Sequence, residues 1–156
     1  MAETDLDRTM SQYGNTLFRI CLVILRNTQD AEDAVQETFI KYLQKKPVFE
    51  SSEHEKAWFI TVATNKARDI CRFYFRHPKV DLEDWKEYGA REEDSSILEA
   101  LMELPEKYRV VLTLHYVEEL KVKDIAQALG MKESAVKMRL QKGRTLLEET
   151  YRKTNY

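Results

Sequence analysis

Apolar residues recur along most of the chain every three or four positions, which is the spacing of one face of an α-helix. Glycine and proline are scarce, at 4 and 3 residues, so long stretches contain no helix breaker. Apolar residues make up 43% of the chain, which is enough for a packed core. The pattern predicts an all-α fold with helices over residues 11–26, 31–45, 55–75, 97–103, 106–117, 122–129 and 133–151.

The predicted helices form two groups separated by an acidic stretch. Residues 81–94 carry seven acidic and two basic side chains and show little regular apolar spacing. We therefore predict two small helical domains, residues 1–77 and 96–156, joined by a flexible acidic linker over residues 78–95. The linker has room for one short helix around Trp85.

Charge is unevenly distributed, although the formal net charge is only −2. In contrast to the acidic stretch, residues 132–144 carry five basic residues and one acidic residue. Such separation of charge favours separate surfaces for different partners.

Several classes of protein are disfavoured by the sequence. Cys21 and Cys71 have no neighbouring Cys or His at ligand spacing, so we expect two buried, reduced thiols. The most apolar run, residues 17–25, is too short for a transmembrane helix, and no secretory signal precedes it. These features predict a cytoplasmic protein without membrane insertion. No Ser/His/Asp or Cys/His arrangement is present, so we expect no enzyme, no cofactor and no metal.

The segment from residue 122 to 147 predicts two helices that meet at Gly130, which permits the positive φ of a tight helix end. One apolar stripe of the second helix would dock on the first, as in a helix-turn-helix. Ala126 is small where the two helices approach each other. The docking residues are Val136, Leu140, Gly143 and Leu147 against Ile125, Ala126 and Leu129.

The opposite face of this second helix is polar and basic, as expected of a helix that enters the major groove of DNA. Lys132, Arg139 and Arg144 are candidates for phosphate contacts. The alternative is a surface helix with solvated lysines. The outward positions are Ser134, Met138, Gln141 and Thr145, flanked by Lys137 and Lys142.

The helix over residues 31–45 also has two unlike faces. Ala31, Val35, Thr38, Phe39 and Tyr42 would face a core, and Asp33, Gln36, Glu37, Ile40 and Gln44 would face outward. An acidic surface around an exposed Ile40 suits a protein partner that supplies arginine. A solvated face and, less readily, a carboxylate metal or hydrolase site are the alternatives.

The helix over residues 55–75 mixes aromatic and basic side chains. Such a mixture can stack unpaired bases and neutralise phosphates, and Asn65 lies within it, able to hydrogen-bond a base edge. The alternative places the aromatics in a core and the cations in solvent. The residues concerned are Trp58, Phe59, Phe73, Tyr74 and Phe75 with Lys56, Lys66, Arg68, Arg72 and Arg76.

Taken together, these segments resemble the bacterial sigma-70 superfamily, and specifically the extracytoplasmic-function (ECF) sigma factors. DAEDAVQETFIKYL resembles their region 2.2, and AWFITVATNKARD resembles regions 2.3 and 2.4. The stretch from LPEKYRVVL to RTLLEE resembles region 4. The resemblance implies two helical domains, σ2 and σ4, and a role in promoter-specific initiation of transcription.

The resemblance also implies partners and site residues. The partners are core RNA polymerase (the β′ clamp coiled coil and the β flap), promoter DNA and an anti-sigma factor. Polymerase binding maps to Asp33, Gln36, Glu37 and Ile40. The opened −10 element maps to Trp58, Asn65, Lys66, Arg68 and Arg72, with Asn65 at the position that captures a flipped base. The −35 element maps to Lys137, Met138, Arg139, Gln141, Lys142 and Arg144.

The chain departs from the family pattern at three positions. Lys121 stands where a Ser or Thr helix cap is frequent, Lys132 replaces a frequent Pro, and Met138 replaces a frequent Ser. Met138 cannot make the hydrogen bond of a serine, so the −35 sequence would differ or be contacted by apolar groups. Two other functions remain open from the sequence: a helix-turn-helix regulator that acts without polymerase, and an inhibitory binding module on the same fold.

Overall fold

The computed structural model describes the backbone of residues 4–73 and 95–155, and their side chains except for those of residues 72, 73, 95, 96, 98, 154 and 155. Within these ranges every regular element is a helix, which confirms the all-α prediction. The chain divides into two compact units, residues 1–80 and 81–156. The predicted linker and the short helix around Trp85 lie outside the described residues, except that Ser95 begins a helix. The predicted domain boundaries stay a prediction.

The first unit contains three helices: α1 (Asp5–Leu25), α2 (Thr28–Lys45) and α3 (Ser52–Phe73). α1 begins six residues before its predicted start at residue 11. The reason is a capping box, in which the Thr4 hydroxyl accepts from the Asp7 N–H and the Asp7 carboxylate accepts from the Thr4 N–H. This cap lies outside the apolar repeat, so periodicity did not reveal it.

The core of the first unit forms where the three helices pack on one another in pairs. Alanines that are completely buried, such as Ala34 and Ala63, let the helix backbones approach closely. Burial of this apolar surface is the main source of stability, at about 25 cal/mol per Å². Its largest fully buried side chains are Leu17, Phe18, Ile20, Leu22, Ile24, Phe59 and Ile60.

The two cysteines differ in depth. Cys21 is fully buried, its Sγ donates to the Ala63 carbonyl at 3.7 Å, and burial raises the pKa of its thiol to about 12. Neither cysteine forms a disulfide, and Cys71 is only half-buried. The prediction of burial is therefore wrong for Cys71, which lies two residues before the end of α3, whereas Cys21 lies in the apolar run of α1.

A polar cluster ties the start of α3 to α1. The Arg8 guanidinium donates to both carboxylate oxygens of Glu55, at 2.9 and 2.8 Å, and the Tyr13 hydroxyl donates to Glu55 Oε1 at 2.7 Å. Glu55 is buried, so these bonds replace its hydration. The cluster fixes the entry of α3 against α1.

The second unit contains α4 (Ser95–Met102), α5 (Glu106–Leu112), α6 (Val122–Leu129) and α7 (Glu133–Asn155). The predicted helix over residues 106–117 continues after α5 as one π-helical turn, Thr113–Val117, because the Glu118 N–H donates to the Thr113 carbonyl. α4, α5 and α6 all pack on α7. The core includes Val111, Leu112, Leu114, Ile125, Val136 and Leu140.

Arg109 of α5 is buried in the second unit and donates from Nη1 to the Leu104 carbonyl at 2.7 Å. Gly143 marks a close approach of α7 to α5, since a Cβ there would lie 3.1 Å from Leu112 Cδ1. In neither unit does a described helix have the length and apolarity required to cross a membrane.

Candidate nucleic-acid and protein interfaces

α6 and α7 form the predicted helix-turn-helix, and Gly130 makes the turn. Gly130 has φ 65° and ψ 39°, the left-handed conformation that glycine adopts without a Cβ penalty. The Met131 N–H donates to the Ala126 carbonyl at 2.9 Å and the Gly130 N–H to the Gln127 carbonyl at 3.4 Å. These two bonds define a Schellman motif, which sets the direction in which α7 leaves α6.

The exposure along α7 follows the predicted division into two faces. Val136 and Leu140 are 0% and 3% exposed, whereas Met138 is 71% exposed. Gly143 is buried, and Leu147, predicted in the same stripe, is half-buried. The polar face is available to a partner and holds Ser134, Lys137, Gln141, Lys142 and Thr145, all exposed.

One edge of this polar face borders α5. The ammonium groups of Lys142 and Lys107 lie 5.8 and 5.1 Å from the centroid of the Tyr108 ring. Burial alone would raise the pKa of Tyr108, but hydrogen bonding and charge from Lys142 and Lys107 outweigh it, so this pKa is lowered. With Ala135, Met138 and Arg139, these residues line a cleft of about 300 Å³. The positive edge therefore includes Lys107, which the sequence did not single out because it lies on another helix.

The opposite edge of α7 borders an apolar groove instead of a positively charged cleft. Arg144 donates from Nη1 to the Tyr116 hydroxyl at 2.7 Å. Both residues border an apolar groove of about 460 Å³, whereas Lys142 lines the cleft beside Tyr108. The groove, which periodicity did not predict, is lined by Ile97, Leu101, Leu112, Tyr116, Val117, Arg144, Leu147, Glu148 and Tyr151.

α2 presents the predicted acidic face. Asp33, Gln36, Glu37 and Gln44 are exposed, and Ile40 is 49% exposed between them. On the inner face, Ala31, Thr38 and Phe39 are buried, and Val35 and Tyr42 are half-buried. Leu43, which the sequence did not mark, adds a second exposed apolar side chain at 49%. An apolar centre with acidic surroundings fits a protein contact.

The aromatic residues of α3 have separate environments. Phe59 is fully buried and contacts several rings, so it belongs to the core. Trp58 is half-buried, with its ring 5.0 Å from Phe59, 5.9 Å from Phe49 and 6.2 Å from Tyr42 between centroids. These packed rings hold the Trp58 indole in place while leaving part of it accessible. Phe73, Tyr74 and Phe75 lie outside the described side chains.

The polar candidates on α3 are also accessible to different degrees. Asn65 is exposed, and Lys66 and Arg68 are half-buried. Arg72 lies in the last turn of α3, and its side chain is outside the described part of the protein. Lys66 Nζ lies 3.4 Å from Glu37 Oε2. The structure therefore joins a candidate of the acidic α2 face to a candidate of the α3 surface, a contact that neither helix alone predicts.

The described residues contain no group of three or more His, Cys, Asp or Glu side chains placed to hold a metal ion. The candidate binding surfaces in these ranges are the polar face of α7, the acidic face of α2, the exposed side of α3 and the apolar groove.

Comparison with known proteins relates this chain to a family. The Sigma-70 region 2 family matches residues 9–76, and the Sigma-70, region 4 family matches residues 94–147. ECF RNA polymerase sigma factor SigW of Bacillus subtilis (strain 168) is 28% identical over 159 residues, covering 90% of this chain and 85% of SigW. RNA polymerase sigma factor SigV of the same strain is 28% identical over 142 residues, covering 88% and 86%.

The fold agrees with this assignment. The sigma factor RpoE, solved in complex with the anti-sigma factor NepR from Bartonella quintana, superposes with a TM-score of 0.71 at 23% identity. The superposition covers 95% of this chain and 97% of that chain. Because the two region matches follow in order and cover most of the sequence, the chain belongs to the sigma-70 family and, within it, to the ECF sigma factors.

Proposed function

We propose that this protein is an ECF-type sigma factor that binds core RNA polymerase and directs promoter-specific initiation of transcription. It would recognise a −35 element with the second unit and a −10 element with the first, and assist promoter melting. The observation that carries the proposal is the presence of both sigma regions, in order, in one chain. The relatives SigW and SigV are named as RNA polymerase sigma factors.

For the −35 element, the proposal uses the exposed face of α7. Lys137, Met138, Gln141 and Lys142 would contact base edges in the major groove, and Arg139 would contact phosphate. Support comes from the exposure of the four residues proposed to contact bases, beside a buried stripe that fixes the helix. Arg139 is half-buried. Arg144 would also contact phosphate. Its hydrogen bond to Tyr116 would have to break so that the guanidinium group can turn toward DNA.

For the −10 element, the proposal uses the exposed side of α3. Asn65 would accept and donate hydrogen bonds to a flipped base, and Lys66, Arg68 and Arg72 would neutralise phosphates of the opened strand. Trp58, held by neighbouring rings, would stack on a base or support the strand. Unstacking a base costs on the order of a few kcal/mol, and several such contacts offset that cost without covalent chemistry. The proposal therefore includes no enzymatic step.

For polymerase, the proposal uses Asp33, Gln36, Glu37 and Ile40 on α2 as the surface that binds the β′ clamp coiled coil. The carboxylates would pair with cations while Ile40 loses water. The β flap and an anti-sigma factor are further proposed partners, with no individual residues assigned to them. Because RNA polymerase and promoters are in the cytoplasm, the proposed location is cytoplasmic.

The test combines binding and transcription. Asp33→Arg should weaken binding to core polymerase by roughly tenfold or more, since a like charge at this surface costs over about 1.4 kcal/mol. The matched control is Glu53→Arg, an equal charge change at an exposed site at the start of α3, which should bind normally. Binding is measured by titration of labelled protein with core enzyme.

Run-off transcription on genomic DNA, with sequencing of the transcripts, completes the test. Discrete start sites that depend on the added protein are expected. A polymerase-independent helix-turn-helix regulator would bind DNA without creating such starts, and an inhibitory module would reduce them. Either result, or equal binding by Asp33→Arg and the wild type, contradicts the proposal.

A further inference from the structure

One ion pair connects two surfaces to which the proposed function gives different partners. Glu37 lies on the acidic face of α2, and Lys66 lies on α3, with 3.4 Å between Glu37 Oε2 and Lys66 Nζ. Their side chains are 51% and 39% exposed, so both remain accessible to macromolecules. In the free protein the positive charge of Lys66 is thus partly neutralised by a carboxylate.

Polymerase and DNA would bind different members of this pair: polymerase the carboxylate of Glu37, and DNA the ammonium group of Lys66. A guanidinium group on the polymerase forms bidentate hydrogen bonds with both oxygens of a carboxylate, which leaves Glu37 less able to hold Lys66. A DNA phosphate that approaches Lys66 meets the negative charge of Glu37 a few ångströms away and is repelled. Removing or neutralising the Glu37 charge therefore favours a contact between Lys66 and phosphate.

We propose that the Glu37–Lys66 ion pair is an autoinhibitory contact that weakens single-strand binding by the free protein and is released when polymerase engages Glu37. The inference rests on the proposed function, since it takes polymerase as the partner of α2 and the opened strand as the partner of α3. It adds a regulated step: occupation of one surface raises the affinity of the other.

The expected effect is modest, because an exposed ion pair contributes only up to about 1 kcal/mol. Loss of the pair therefore changes affinity by roughly two- to fivefold. Gain of one further phosphate contact also increases the salt dependence, by about 0.7 in the slope of log K against log salt for a single strand. The two quantities together identify a gained phosphate contact.

The experiment uses the full chain without polymerase and a fluorescein-labelled single-stranded DNA oligonucleotide of random sequence. A phosphate contact does not depend on sequence, so the promoter need not be known. Glu37→Gln should bind roughly two- to fivefold more tightly than the wild type at low salt, with a steeper salt slope. Anisotropy titrations over a series of salt concentrations give both values.

Two variants separate the contact from general charge effects. Glu53→Gln removes the same charge from an exposed site near the start of α3 and should leave both values close to those of the wild type. Combining Glu37→Gln with Lys66→Gln should abolish the gain. The proposal is overturned if Glu37→Gln does not bind more tightly, if Glu53→Gln gives the same gain, or if the gain persists without Lys66.

Failure of the autoinhibitory contact and failure of the proposed function give different results. If the protein supports polymerase-dependent starts while Glu37→Gln gives no gain, only the autoinhibitory contact is wrong. If Glu37→Gln gives the gain but no polymerase binding is found, the ion pair restrains Lys66 but the proposed release by polymerase is wrong, and with it the proposed function.

Discussion

Glu55 shows how one buried carboxylate can be stabilised by specific neighbours. The hydrogen bonds from Arg8, opposed by burial and assisted by Tyr13, hold the pKa of Glu55 below its usual value of 4.5. Burial and the bond to Glu55 raise the pKa of Tyr13 to about 12. At neutral pH Glu55 is therefore ionised and Tyr13 is neutral, and all three hydrogen bonds of the cluster are formed.

The pKa shift of Glu55 predicts an acid-sensitive first unit. A lowered folded pKa stabilises the fold above the unfolded value near 4.5, and this contribution disappears as the pH falls through the lower folded value. For Tyr13 the sign is opposite, because stability is retained below pH 10 and lost as the pH rises toward 12. Urea unfolding across pH, followed by circular dichroism, measures both losses.

The acid-sensitivity prediction has a direct mutational control. Glu55→Gln should lower the free energy of unfolding at neutral pH by about 1–2 kcal/mol, since it removes charge-assisted hydrogen bonds. It should also flatten the acid limb, which is the decrease of this free energy as the pH falls below about 4.5. Glu53→Gln, at an exposed neighbour, should change little. An unchanged acid limb in Glu55→Gln would show that other groups control it.

Lys142 tests whether α7 contacts bases. Lys142→Ala should weaken binding of the polymerase complex to its own promoter by about 1–3 kcal/mol and relax preference at one −35 base pair, if Lys142 contacts a base edge. Lys153→Ala, an exposed lysine near the end of α7, is the control. Electrophoretic mobility shifts on a −35 substitution series measure the change. A uniform loss on all sequences would instead identify a phosphate contact.

At the scale of elements, the start of α6 is under-stabilised. Lys121 is the N-cap, with φ −70° and ψ 153°, and its side chain makes no capping hydrogen bond. The absence of a cap agrees with the expectation from the sequence. Asp124 lies three residues later, in the first turn, where it could complete a capping box.

Lys121→Ser should therefore stabilise the second unit by about 1 kcal/mol. The backbone of Lys121 is already extended, as an N-cap requires, so no rearrangement is needed. Lys123→Ser removes the same charge one residue inside α6 and should not stabilise. Thermal unfolding of the full chain compares the variants. Equal stability of Lys121→Ser and the wild type would mean that water already satisfies the free N–H groups.

The elements also show where periodicity is sufficient and where it fails. The bounds of α6 agree with those predicted, because Gly130 ends the apolar repeat and supplies the left-handed turn. The start of α1 and the π-helical turn Thr113–Val117 were not predicted. Both depend on hydrogen bonds of individual groups, which an apolar repeat does not encode.

At the scale of the whole molecule, the distribution of charge matters more than the total. The net charge of −2 gives no general attraction to DNA, whereas α7 carries a local basic surface. Each proposed DNA-binding surface alone would bind weakly. A polymerase that holds both units on one promoter raises the effective concentration of the second contact after the first has formed. The proposed selectivity thus depends on polymerase.

The sequence by itself determined the helical class, the approximate position of each helix and the outward residues of α2 and α7, because each helix has a fixed period and its residues carry that pattern. Only the tertiary structure decided which side chains of different helices meet. The ammonium groups of Lys107 and Lys142 lie over one Tyr108 ring, Glu37 pairs with Lys66, and Phe59 rather than Trp58 is fully buried. These contacts depend on how helices pack, and periodicity within one helix does not specify the facing residue of another.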